Sequence, residues 1–336
     1  MIEIVFYLFF IFGFIYYSKK KNILTNYSGE KHQKFLNNTQ VPLIGGIIFL
    51  IPIIYFFKNN LFVSLFIMII FILGFLSDLR LLNSPKKRII LQIFIIFLSV
   101  ILLNLEIADT RIDLLNYFLQ IKIISILFSV FCLMILINGS NFIDGLNGLL
   151  LGYFLLIIFI LFHQEYVIDI NNDASLFNTL IICTLILFFL NIFNILYLGD
   201  SGAYLIGFVL GYILISFYNQ NNVSPFFIIL LLWYPCFENL FSIIRKNKFK
   251  NSPINPDDKH LHQLLYFFVN KEFFKNKIIA NSFTSLLLNI YNCLVFIISL
   301  HNPYNTMFQI ILIGVNVIVY VIIYKILFVY RFRRKI

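Results

Sequence analysis

Three aspartates stand beside serine, glycine or asparagine in a chain otherwise short of charge: Asp78 in GFLSDLRLLNSPKKR (74–88), Asp144 in NGSNFIDGLNGL (138–149) and Asp200 in LGDSGAYLIG (198–207). Hard carboxylate oxygens suit Mg²⁺, which tolerates few protein ligands when phosphates supply the rest, so Asp200 is read as a metal ligand. Its position at the start of an apolar run also suits a helix cap. Asn138, Asn141 and Asp144 fall at i, i+3 and i+6, on one side of a helix end. A carboxylate at a membrane boundary calls for a cation or metal partner. The bland alternative is an Asn/Asp cap on the span that starts near 148. Gly145 and Gly148 allow close approach of backbone or ligand. Ser84 and Pro85 read as N-cap and first helical residue. Lys86, Lys87 and Arg88 suit lipid headgroups, and Arg88 could also hold a lipid phosphate. His260 and His262 are two apart and do not share a helix face, so a loop or a helix start is expected there. Asp257 and Asp258 make a poor completion of a zinc site. Histidines in a basic stretch fit a phosphate-rich ligand better.

These residues must be positioned by apolar elements. The chain has 336 residues, 61% hydrophobic and 12% charged, with mean hydropathy +0.93. Soluble domains use about 45–50% apolar and about 25% charged residues. Lipid is the solvent that accommodates such an excess. Eleven apolar stretches suit transmembrane helices: 2–17, 42–57, 61–76, 89–105, 123–138, 148–163, 176–192, 203–218, 225–241, 278–300 and 307–329. The expected fold is an all-α polytopic membrane protein of about ten or eleven helices, one domain over 1–336. A long cytoplasmic loop is expected over 242–277. No basic residue precedes the first apolar run and no small-residue cleavage site follows it, so a cleaved signal peptide is not expected. With residue 1 outside, 21 of the 25 basic residues fall on inside segments. The positive-inside rule then places the C-terminus in the cytoplasm. The net charge of +10 is a topology signal with some attraction to anionic headgroups, not a nucleic-acid footprint. The four cysteines are scattered singly through apolar runs and read as small apolar filler. This topology puts every polar island, VPLIGGI (41–47) included, on the cytoplasmic face. A shared side argues for one site.

Taken in order, PLIGG, GFLSD…NSPKKR…Q, NGSNFIDGLNGL, LGDSGAYLIG and FSIIR…PDDKHLHQLL resemble the polyprenyl-phosphate N-acetylhexosamine-1-phosphate transferases, the MraY/WecA superfamily. The resemblance spans about residues 42–265. HLHQ, without three consecutive histidines, is more similar to the polysaccharide-initiating branch. The resemblance implies transfer of an N-acetylamino-sugar 1-phosphate from a UDP-sugar such as UDP-GlcNAc to undecaprenyl or another polyprenyl phosphate. Mg²⁺ assists, with Mn²⁺ as an alternative, and UMP leaves. It implies Asp200 as the main metal ligand with Asp144 assisting, and Asp78 orienting or deprotonating the lipid phosphate. It implies Asn138, Asn141, Gly45, Gly46, Arg88 and Lys259 as substrate-binding, and His260 and His262 as handling the diphosphate. It implies a multi-pass protein of the bacterial inner membrane serving envelope polysaccharide synthesis. The apolar outer faces serve lipid or a second protomer equally well, which leaves a homodimer open. Ser77 replaces the family's first Asp of a pair, Leu43 an Arg, Gln263 a further His, and Asp258 an Arg. The competing readings are an inactive or regulatory relative and a transporter.

Overall fold

A computed structural model describes residues 2–25, 41–107, 109–163, 174–248 and 258–332. Among these residues the protein is all helix: α1 (Ile2–Lys21), α2 (Gly45–Phe56), α3 (Leu61–Asp78), α4 (Pro85–Leu102), α5 (Asp113–Leu119), α6 (Lys122–Ile143), α7 (Leu149–His163), α8 (Ala174–Ile192), α9 (Gly199–Gln220), α10 (Pro225–Leu231), α11 (Trp233–Lys248), α12 (Leu261–Glu272), α13 (Lys277–Ser299) and α14 (Thr306–Phe332). Each of the eleven expected stretches contains a helix. Six described helices are long and apolar enough to cross a membrane, or seven with α10 and α11 taken as one bent span. The chain is a polytopic, multi-pass membrane protein.

The region expected as a loop over 242–277 is different. Helix α11 runs on to Lys248, α12 occupies 261–272, and residues 249–257 lie outside the described residues. Helix α12 forms because its apolar residues leave one side to bury: Leu261, Leu264, Tyr266 and Val269 are all buried.

Helix α9 is the hub, almost wholly buried between α2, α3 and α6. Small residues make that possible. Gly207 and Gly211 sit four apart and meet Ile137 and Leu133, also four apart, on α6. A Cβ on Gly207 would stand 2.7 Å from the Ile137 Cα. Close helix approach through small residues is how membrane helices gain contact when lipid gives no hydrophobic drive between them.

Two prolines interrupt helical ladders, and each freed carbonyl is met. Pro52 in α2 cannot donate to Ile48; the Tyr7 hydroxyl of α1 donates to the Ile48 carbonyl at 3.3 Å. Pro235 cannot donate to Leu231; the Tyr153 hydroxyl of α7 donates to that carbonyl at 2.8 Å. The second break separates α10 from α11 with a bend of 78°. Broken helices persist in lipid where neighbours satisfy the freed groups in this way.

At the end of the bundle that carries the α9 C-terminus, Arg111 ties three loops together. It donates to the carbonyls of Tyr304 at 2.8 Å, Asn222 at 3.1 Å and Val223 at 3.2 Å. All the candidate site residues lie at the opposite end.

Candidate active site

The first N–H groups of a helix have no partner within it. At α9 two of them are taken by a carboxylate from another helix. Asp78, the last residue of α3, accepts from the Asp200 N–H at 2.8 Å and from the Ser201 N–H at 3.0 Å. Negative charge at a helix N-terminus is favourable. Gly199 permits the approach: its φ is +80° and a Cβ there would lie 2.8 Å from Asp78 Oδ2. Beside its expected role of orienting or deprotonating a lipid phosphate, Asp78 therefore has a structural one. Both its oxygens hold the start of α9, and it is 5% exposed.

The same turn carries Asp200. Arg88, from the first turn of α4, donates to Asp200 Oδ2 at 2.8 Å and to the Ser77 hydroxyl at 2.7 Å. The Ser77 hydroxyl in turn donates a hydrogen bond to Asp200 Oδ2 at 2.6 Å. Arg88 also bonds the buried Tyr204 hydroxyl one turn along α9. Ser77, a departure from the family pattern, thus binds the candidate metal ligand. Among the described residues no group bonds Asp200 Oδ1.

Gly45 and Gly46 were expected to bind substrate. The structure instead packs them under the α9 start. Their N–H groups donate to the carbonyls of Tyr197 and Leu198 at 2.8 and 2.9 Å. A Cβ on Gly46 would lie 2.6 Å from the Gly202 nitrogen. Both are buried and position Asp200. Leu43, where the family often has Arg, is buried beside them.

The third aspartate enters from α6. Asn138, Asn141 and Asp144 end that helix as the spacing predicted, all half-buried. Asn138 donates to the Met134 carbonyl at 2.9 Å and to Gln92 Oε1 at 3.3 Å. Gln92, 1% exposed, was not among the predicted site residues. Among the described residues no group bonds the Asp144 carboxylate or the Asn141 side chain. Burial, then the neighbouring Asp200 and Asp78 carboxylates, push the Asp144 carboxyl well above the ordinary range. The turn after Asp144 is held by buried asparagines. The Asn147 N–H donates to Asn281 Oδ1 at 2.8 Å, the Asn147 amide to Asn194 Oδ1 at 3.1 Å, and Asn289 to the Gly148 carbonyl at 3.0 Å.

His260 and His262 open α12, and His260 is its N-cap. The His260 N–H donates to Gln263 Oε1 at 3.2 Å, so the glutamine that departs from the family's further histidine closes a cap. The two imidazoles stack at 5.5 Å and 16°. A Cβ on Gly145 would meet His262 Nε2 at 3.0 Å, which sets the buried His262 against the residue after Asp144. Two of the predicted loop positions look elsewhere. Lys259 lies over the Phe332 ring at 5.7 Å, and Asp258 pairs with Arg331. Neither of these contacts is to Asp78, Asp144 or Asp200.

Glu238 on α11 was missed altogether. It is 1% exposed and sits 2.8 Å from His260 Nδ1 through Oε1. The Tyr320 hydroxyl donates to its Oε2 at 2.8 Å. The available signal was a lone acid in an apolar span, WYPCFENLF.

Residues 60–218 match the model of glycosyl transferase family 4, the segment that carries Asp78, Arg88, Asn138, Asn141, Asp144 and Asp200. Over this segment the chain is similar to glycosyl transferase family 4. It is 27% identical to the undecaprenyl-phosphate alpha-N-acetylglucosaminyl 1-phosphate transferase of Thermotoga maritima, over 74% of this chain and 75% of that protein. It is 32% identical to a phospho-N-acetylmuramoyl-pentapeptide-transferase of Dictyoglomus turgidum, over 57% and 65% respectively. It is 30% identical to the decaprenyl-phosphate N-acetylglucosaminephosphotransferase of Mycolicibacterium smegmatis, over 43% and 41%. The family 4 match ends before the histidines, which the fold brings back beside Gly145.

Among the described residues no three His, Cys, Asp or Glu side chains form a group that could hold an ion by themselves. Asp200 Oδ1 and the Asp144 carboxylate are hard oxygens without protein partners. Two such ligands fit Mg²⁺, which keeps waters and takes its remaining oxygens from phosphates.

Proposed function

We propose that the protein transfers an N-acetylamino-sugar 1-phosphate from a UDP-sugar to a polyprenyl phosphate, releasing UMP, at the cytoplasmic face of a bacterial inner membrane. The observation that carries this reading is the placement of Asp200 and Asp144, from separate helices, at one end of the bundle, near enough for the charge of Asp200 to act on Asp144, with acceptor oxygens left open. Repelling carboxylates in a part-buried site call for a divalent cation. Bound there, Mg²⁺ would neutralise charge on the phosphates being exchanged. Asp200 and Asp144 would hold it. Arg88, already against Asp200, is placed to draw a lipid phosphate to the same point. Asn141 offers an uncommitted amide for the sugar nucleotide, and the two histidines wall the side nearest Asp144. Phosphoryl transfer asks mainly for positioning and charge neutralisation, and this arrangement provides both.

An apolar cavity of about 390 Å³ lies between α6, α9, α10, α11 and α14; its lining runs from Leu136 and Phe237 to Ile107, Thr110 and Tyr218, toward the end of the bundle away from the carboxylates. A transporter would place its polar groups near the bilayer midplane; here they gather at helix ends.

The test is UMP release by the purified full-length protein given UDP-GlcNAc, undecaprenyl phosphate and Mg²⁺. Chelation and Asp200→Asn are each expected to abolish it, with activity in the chelated enzyme restored by added Mg²⁺. Turnover unaffected by chelation, or no release with any UDP-amino sugar, would overturn the reading.

A further inference from the structure

We propose that Glu238 is the positioning residue for the histidine pair: it fixes the ring of His260, and through the stack the ring of His262, against the Asp144 turn. An ionised carboxylate can only accept, so His260 Nδ1, 2.8 Å from Glu238 Oε1, carries the proton. The same oxygen takes the Leu261 N–H at 3.4 Å, which locks the ring to the first turn of α12. Its other oxygen takes the Tyr320 hydroxyl at 2.8 Å, which locks the carboxylate to α14. The His260 ring lies 5.1 Å from Phe142 and stacks on His262, which abuts Gly145. Phe142 and Gly145 bracket Asp144. One tautomer and one ring plane are thus handed from α14 through α11 to the residues beside the carboxylates.

Burial of a glutamate in an apolar helix costs several kcal/mol unless it is paired. Packing of α11 alone would be served by an apolar residue. The three hydrogen bonds are spent on the orientation of one imidazole.

This inference rests on the transferase reading for its kinetic half only. In ¹⁵N-histidine-labelled protein, the His260 signal, assigned by its loss in His260→Gln, is expected as a single Nδ1–H tautomer. That measurement needs no substrate. A wild-type signal with the proton on Nε2 alone would overturn the proposal whether or not any variant folds. Glu238→Ala is expected to scramble the tautomer and lower kcat by about 10–100-fold, the usual loss when an orienting partner is removed. KM for UDP-GlcNAc stays within about threefold, because the histidines act beside the reacting phosphates and uniform binding is untouched. Glu238→Gln keeps an acceptor and volume, and is expected to keep the tautomer and most of the activity. Tautomer and kcat must move together across the folded variants. A scrambled tautomer with wild-type kcat, or a retained tautomer with a large kcat loss, would refute the positioning role. Wild-type protein with the Nδ1–H tautomer but no UMP release would sink the transferase reading instead.

Discussion

Replacing Asp78 with asparagine keeps shape and removes one charge. The wild-type carboxylate accepts two backbone N–H groups, at 2.8 and 3.0 Å, at the start of α9. Asparagine retains one acceptor and turns its NH₂ against the second N–H. One charge-assisted bond is lost, about 1.5–3 kcal/mol at a buried position. The favourable interaction of the charge with the helix end is lost too, about 0.3–1 kcal/mol. Together the start of α9 is weakened by about 2–4 kcal/mol. Asp200 rides on that turn, so stability and activity should fall together. Thermal unfolding followed by the fluorescence of Trp233, the one tryptophan in the chain, should show a midpoint several degrees lower. UMP release should fall in parallel and recover in part at reduced temperature. An Asp78→Asn protein with wild-type thermal stability but no turnover would refute the capping argument and return Asp78 to the chemistry.

Arg88→Met strands Asp200 Oδ2, leaving only the Ser77 hydroxyl on it, and should lower kcat/KM by about 10–100-fold, the equivalent of one charge-assisted bond. Arg88→Lys should recover part of that, since it keeps a charged donor for Asp200 on a shorter side chain than the one whose single Nη1 reaches both Ser77 and Asp200; full activity in Arg88→Met would show that the pair is only structural. Tyr153→Phe leaves the Leu231 carbonyl open at the break between α10 and α11. It should cost about 1–3 kcal/mol of stability with KM for UDP-GlcNAc unchanged; an unaltered unfolding midpoint would mean that the carbonyl finds another donor.

The helices were legible in the sequence because lipid demands long apolar runs, and each expected stretch holds a helix. The aspartates of 144 and 200 were legible too, since glycine and asparagine around a lone acid stand out against phenylalanine and isoleucine. What escaped was long-range or disguised. Asp78 caps a helix whose first N–H lies 122 residues away, and no local pattern marks such a contact. Helix α12 was read as loop because its twelve residues are too short and too polar for a span. Glu238 lay inside an apolar run, where the hydropathy of its neighbours hid it. The asparagines at 147, 191, 194, 281 and 289 carry no spacing that marks a role. The side chains of Asn191, Asn281 and Asn289 finish backbone bonds around Gly148 and the α8 end, and the Asn147 amide donates to Asn194 beside them. Ser77 and Gln263, departures from the family pattern, acquire roles only once their partners are in place.

The polar groups inside the bundle divide by what they complete. Tyr7 and Tyr153 supply the donors that two prolines fail to meet. Gln309 takes up the Ser299 and Asn302 carbonyls at 3.0 and 2.9 Å, and Arg111 closes the far loops. Each of these ends in a satisfied backbone group, so each is explained by the need to leave no peptide unpaired in lipid. The carboxylates at the site end follow another rule. Asp78 and Glu238 are filled by donors from other elements and hold α9 and His260 in place. Asp144 and one oxygen of Asp200 are left open, although an open carboxylate is the costliest group to keep part-buried. Gln92, Ser140 and Tyr234 also each leave a buried side-chain atom without a hydrogen-bond partner among the described residues, but a charged oxygen costs most to leave open, so the carboxylates are the groups whose partners would arrive with the substrates. On the proposed transferase reading the open oxygens are where the cation and phosphates would bind, and the filled ones mark the frame that keeps those oxygens open.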